Sequence, residues 1–239
     1  MPWYAADTTG RLPARPVFAK SEIEKLCTAT VRQFLEDLYG RARFPLETED
    51  LKKLIERDTS DFDEFADLSA EGQDVEGFTD FFPDRLPVVR IDSRLAENPR
   101  RERRLRMTLA HEYGHVLLHA PLWRKDAITD GVTMVSGQPA ALSGLAMTPE
   151  LPVDRQPGRH DVDWMEWQAN YAAGALLMPY HAVADLLNEI NHSADQTAED
   201  HDRVLIAGVT GHFIVSWSAA TVRLRQLGVL RRPRRLPRR

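Results

Sequence analysis

From residue 21 onward the apolar positions of this chain recur mostly at helical spacing. Ser21 reads as an N-cap, and Ile23, Leu26, Val31, Phe34, Leu35 and Leu38 follow as one face of a helix. Before them, residues 1–19 carry Gly10, Pro13 and Pro16 without periodicity and read as an extended arm. A second helix is expected from Thr48 to Arg57, burying Leu51, Leu54 and Ile55. The pattern then changes. Asp61 to Leu68 alternates roughly between apolar and acidic residues, as a strand does, with Gly72 and Gly77 as turn signals. Leu86 to Asp92 reads as a further strand, so a small sheet is expected in front of the next helix. In that helix Leu105, Leu109, Val116 and Leu117 form an apolar stripe and leave Thr108, His111 and His115 on another flank.

Residues 120–159 hold five prolines and four glycines with no sustained period. A loop of that length inside a compact domain is usually a lid or a disordered segment, and Trp123 and Trp164 are placed to anchor its ends. A helix rich in alanine and leucine follows and is stopped by Pro179. Ala182, Val183, Leu186, Leu187 and Ile190 describe another. The last part reads as a helix around Thr197 to Ala207, a turn, and Ser216 capping a helix through Leu227. Val215-Ser216 with Ala219, Val222, Leu224 and Leu227-Gly228 is similar to a helix-turn-helix or winged-helix pattern, although any tight helical hairpin buries similar positions. The fold class is therefore α+β, helices plus a small sheet. The expected divisions are an arm at 1–19, a main domain at 20–192 enclosing the 120–159 loop, a helical extension at 193–230, and a tail at 231–239.

Composition adds three points. A chain of 239 residues with 43% hydrophobic residues can bury a sizeable core as one domain with an appendage. One cysteine, Cys27, excludes an internal disulfide framework, suits a reducing cytoplasm and packs as a small hydrophobe. The start lacks the basic and apolar regions of a signal peptide, and no apolar run approaches a membrane span, so a cytoplasmic location without membrane contact is expected. Charge is uneven. Glu47 to Asp80 carries thirteen acidic side chains against three basic ones, and Arg90 to Arg106 carries seven arginines against three acids. Solvated faces explain both runs, with docking of a basic partner or of phosphate as the sharper reading. Six of the last nine residues are arginine, and without them the formal charge falls from −5 to −11. Such a tail can make weak DNA contacts or fold back on the acidic body.

The chemistry concentrates at Thr108-Leu-Ala-His111-Glu112-Tyr-Gly114-His115-Val-Leu-Leu-His119, which contains H-E-x-x-H. On a helix, four residues advance about 400° and about 6 Å, so both imidazoles can reach one ion. Glu112 then sits beside a metal-bound water without ligating the metal, the spacing used by zinc hydrolases. Gly114 costs about 1 kcal/mol in a helix interior and points to a close approach there, by a ligand or by a packed helix. His119 lies another turn along, too far to share the ion, and the glycine that would turn the chain in the metzincin pattern is here Leu118. His119 is therefore read as a supporting group. The third ligand must come from elsewhere. Glu166 is the leading candidate, with Asn170 one turn later on the same face to hydrogen-bond a metal histidine. His160, Asp161 and Asp163 compete, and Asp163-x-x-Glu166 also reads as a capping box.

Met107-Thr-Leu-Ala-His111-Glu-Tyr-Gly-His115-Val-Leu-Leu-His119, together with Glu166-x-x-Ala-Asn170-x-Ala-Ala-x-x-Leu-Leu-Met-Pro179, resembles the ImmA/IrrE family of metallo-endopeptidases. Leu86 to Asp92 looks like the strand that family places before its active-site helix. The resemblance implies a minimal zincin-like, gluzincin-like domain with one zinc ion per chain held by His111, His115 and Glu166, and with Glu112 as catalytic base. It also implies a substrate, a helix-turn-helix repressor cleaved in a stress or mobile-element response. An oxyanion donor is required as well, and Tyr171, Tyr180 and His181 are the candidates. Two other readings stay open. One is a DNA-binding regulator that uses its C-terminal helices and arginines around a structural metal. The other is a broad-acting toxin protease.

Overall fold

The structure, a computed structural model, describes residues 3–6, 14–123, 164–191 and 198–230. The arm read as extended contains two short strands, β1 (Trp3–Ala6) and β2 (Ala14–Val17), paired antiparallel with Tyr4 opposite Pro16. Helix α1 (Lys20–Tyr39) starts one residue before Ser21, which lies in its first turn rather than at its cap. The cap is Ala19, whose N–H donates to Glu22 Oε2 at 2.8 Å. Glu22, three residues in, thus serves the Ala19 N–H, the one half of a capping box that an alanine cap allows. Ile23, Cys27, Val31, Phe34 and Leu35 form the buried face, whereas Leu26 and Leu38, assigned to it from the spacing, are 36% and 44% exposed. Helix α2 (Thr48–Asp58) buries Leu51, Leu54 and Ile55 as expected.

The sheet has three strands in the order β3 (Asp61–Ala66), β5 (Val88–Asp92), β4 (Gly77–Asp80). Central β5 runs parallel to β3 and antiparallel to β4. Gly77, read as a turn signal, is instead the first residue of β4. Register and alternation then place the site: Gly77 pairs with Ile91 and Thr79 with Val89, so all four share one face, while Phe78 and Asp80 share the other with Arg90. On that second face Arg90 bonds Asp80 at 2.8 Å and lies over the Phe78 ring.

Helices α3 (Ser93–Ala96) and α4 (Glu102–His119) follow, joined by a 3₁₀ turn. Fourteen of the eighteen residues of α4 are buried, so it is a central helix covered on nearly every side rather than the amphipathic one expected from its leucines. Helix α5 (Trp164–Leu177) packs along it with Gly114 at the crossing. A Cβ at Gly114 would lie 3.0 Å from Ala169 O and 3.2 Å from the Ala172 Cβ, which identifies the close approach as helix packing. The arginine run is largely consumed inside the fold. Arg94 pairs with Asp92, Arg101 and Arg104 both bond Glu76, and buried Arg106 donates to Thr48 and to the carbonyls of Leu46 and Phe213.

Three more helices complete the described chain: α6 (Tyr180–Asn191), α7 (Ala198–His212) and α8 (Trp217–Gln226). Ser216 caps α8 by accepting from Ala219 N–H at 3.1 Å, and α7 runs five residues past its expected end. The 193–230 segment is not set apart from the rest. Leu205, Ile206, Val209, Phe213, Ala219, Ala220 and Leu224 belong to the same apolar core as α1, α2, α4 and α5. Buried Arg223 reaches from α8 to Glu24 of α1 at 2.8 Å and to the carbonyl of Met178 after α5. Most of the 120–159 loop, His160, Asp161, Asp163 and the 231–239 tail lie outside the described residues. Trp123 and Trp164, on either side of residues 124–163, meet in one apolar cluster with Met165. No single helix among the described residues is long and apolar enough to cross a membrane.

Candidate metal centre

Three ligand atoms converge from two helices. His111 Nε2 and His115 Nε2, one turn apart on α4, lie 3.1 Å from each other. Glu166, in the first turn of α5, places Oε2 3.3 Å from His111 Nε2 and Oε1 3.3 Å from His115 Nε2. Both histidines are fully buried, and the Glu166 side chain is 24% exposed. Ligands held about 2.0–2.1 Å from a tetrahedral ion stand about 3.3 Å apart, the edge of that tetrahedron. The observed separations fit such an ion, so His111, His115 and Glu166 form a group that can hold a metal. The Gly114 crossing makes this possible, because it brings α5 close enough for Glu166 to span both rings.

The far sides of both imidazoles are occupied. His111 Nδ1 faces Asn170 Oδ1 at 3.1 Å, one turn from Glu166 as the helical spacing suggested. His115 Nδ1 faces His119 Nδ1 at 2.9 Å, and His119 Nε2 faces Gln168 Oε1 at 3.0 Å. His119 therefore touches the site through His115. Its own ring is fully buried, with the edge of Trp164 5.6 Å away between centroids. Burial, with His115 beside it, holds the His119 pKa well below the usual histidine value and keeps the ring neutral.

Glu112 points into the same region from α4 without being one of the three ligands. Its Oε2 accepts from Thr79 Oγ1 at 2.6 Å, while Oε1 is buried and has no hydrogen-bond partner among the described residues. Burial raises its pKa, and the adjacent His111, His115 and Thr79 oppose the rise. The carboxylate rests against the backbone of β4: a Cβ at Gly77 would stand 2.6 Å from Glu112 Oε1 and 2.7 Å from the Thr108 methyl. Thr79 and Gly77 are neighbours of Glu112 that the sequence reading missed: Gly77 reads there only as a turn signal, and nothing local marks Thr79. Only strand pairing brings them to residue 112. Gln168 was missed too, although it sits between Glu166 and Asn170 on α5.

The three candidate oxyanion donors stand elsewhere in the hydrogen-bond pattern. The Tyr171 hydroxyl donates to Glu24 Oε1 at 2.9 Å, within the Glu24–Arg223 ion pair. Tyr180 opens α6 and is 61% exposed, and His181 packs edge-on against Phe44. Among the described residues none of the three hydrogen-bonds to the ligand group or to Glu112. Compared with family models and with curated proteins, the chain finds no match.

Proposed function

We propose that this chain is a zinc-dependent endopeptidase. The observation that carries the reading is the division of labour between two carboxylates. Glu166 bridges the two histidines, whereas Glu112 is held beside them by Thr79 with one oxygen unengaged. A purely structural site has no use for the second carboxylate. Two imidazoles and one carboxylate suit zinc among the available ions. Zinc, when bound, would lower the pKa of a water toward about 7 and polarise a peptide carbonyl. His111, His115 and Glu166 would hold it, with Asn170 and His119 orienting the two rings. Glu112 accepts the proton of the attacking water at Oε1 and returns it to the leaving amine. The Thr79 hydroxyl, bonded to Oε2, keeps the carboxylate from rotating off the reacting atoms and leaves Oε1 for the proton.

The substrate reading rests on the resemblance of the two motif blocks to the ImmA/IrrE family, which points to a helix-turn-helix repressor. The cut would fall in a flexible or locally opened segment, because a folded helix cannot present its carbonyl to the site. The test mixes zinc-loaded protein with such a repressor and with an unrelated folded protein, using Glu112→Gln as control. One discrete repressor fragment, absent from the control, supports the proposal. Cleavage of both proteins favours a broad-acting toxin protease, and cleavage of neither counts against peptidase activity.

One observation favours the DNA-binding regulator as a second reading. The chain turns by 113° between α7 and α8, within the range of helix-turn-helix units. The turn packs into the main core, however, and Arg223 of α8 is spent on Glu24.

A further inference from the structure

Four hydrogen-bonding groups run in series from the N-terminal hairpin to one metal ligand, and their polarity can be read from the end. The Pro16 carbonyl of β2 can only accept, and Gln168 Nε2 donates to it at 2.9 Å. That contact fixes the amide so that Oε1 faces His119 Nε2 at 3.0 Å. An amide oxygen can only accept, so the His119 proton sits on Nε2. With its one ring proton on Nε2, the His119 imidazole offers a lone pair at Nδ1, and His115 donates its Nδ1–H across the 2.9 Å between them. The remaining nitrogen of His115, Nε2, is left as a lone pair directed at His111 Nε2 and Glu166. Every group in the series is buried: Pro16, Gln168, His119 and His115. Water therefore has little access to rewire it.

We propose that Gln168 and His119 are positioning residues that, anchored on the Pro16 carbonyl, select the metal-binding tautomer of His115. The inference rests on the ligand group described above and adds to it a role for the hairpin that the sequence presented as a bare arm. His111 has a shorter version of the same device, a single bond to Asn170. The site is thus asymmetric, with one ligand set locally on α5 and the other set by the N-terminal strand.

The test uses the full chain and reads the tautomer directly. Nitrogen-detected NMR of the histidine rings in zinc-free protein should show His115 protonated at Nδ1 and His119 at Nε2. Gln168→Met, which keeps the length and apolar bulk of the side chain, should leave His115 as a mixture of tautomers. It should weaken zinc binding about 10- to 100-fold, and His119→Phe should do the same. A wild-type His115 protonated at Nε2 overturns the proposal, even where a variant fails to fold. Gln168→Met protein with wild-type zinc affinity and an unmixed Nδ1–H tautomer also overturns it. Wild-type protein that shows the expected tautomers but takes up no zinc would sustain the series and sink the zinc reading instead.

Discussion

At the scale of single residues, the site depends on side chains that the H-E-x-x-H spacing does not contain. Glu166 is the clearest. Glu166→Gln should weaken zinc binding strongly, since a neutral amide replaces the charge that faces both rings. Titration against a competing chelator measures this, and unchanged affinity with a lower melting temperature would return Glu166 to a helix-capping role. Gly77 gives a different signature. A Cβ there would meet Glu112 Oε1 at 2.6 Å, so Gly77→Ala has to displace the carboxylate or β4. Loss of about a hundredfold in kcat/KM is expected for a catalytic group moved by about 1 Å, with zinc content unchanged because no ligand is touched. Equal losses of zinc and activity would mean that the whole site had shifted. His111, Glu112 and His115 were legible in the sequence because helical spacing is a local rule. Thr79 was not, since it reaches Glu112 across thirty-three positions by way of a strand.

At the scale of elements, the α4–α5 crossing sets the metal group. Gly114 was legible as a demand for close approach, but the sequence left its partner open; the structure supplies Ala169 and Ala172. Gly114→Ala gains helix propensity of about 1 kcal/mol and meets backbone atoms at 3.0–3.1 Å, which α5 can relieve only by moving. Overpacking of this kind costs about 1–3 kcal/mol. The same movement carries Glu166, Gln168 and Asn170 with it, so zinc affinity should fall while the helix content stays. Circular dichroism and zinc titration on the same sample check both halves; unaltered zinc affinity would show that the crossing does not set the ligand geometry. Other element readings failed for physical reasons. The burial of α4 on nearly all sides was hidden because its polar residues bond each other and β4 rather than water. The β1–β2 pairing escaped notice because its strands have four residues each and no alternation.

At the scale of the whole molecule, the division between a peptidase domain and a C-terminal extension does not coincide with a break in the core. Half-buried Glu24 on α1, Tyr171 on α5 and buried Arg223 on α8 form one polar cluster. Glu24→Ala leaves the Arg223 guanidinium, which is 1% exposed, with its bond to the Met178 carbonyl but without its carboxylate. Removing one partner of a fully buried pair costs about 3–5 kcal/mol, an upper bound for this half-buried one, and the resulting drop in melting temperature should appear in a single transition. Two separate transitions would restore an independent extension. Sequence periodicity gave the helices of this region and could not give their packing, because a charged residue such as Arg223 reads as surface until its partner, 199 positions away, is known. The central claim, that one assembled site both holds zinc and hydrolyses peptides, is tested most directly by comparing wild type and Glu112→Gln for zinc content and turnover of one peptide substrate. The account predicts equal zinc, one ion per chain, with turnover reduced by about 10²- to 10⁴-fold in the variant, the usual contribution of a general base. Wild-type turnover in a zinc-loaded Glu112→Gln protein would contradict it.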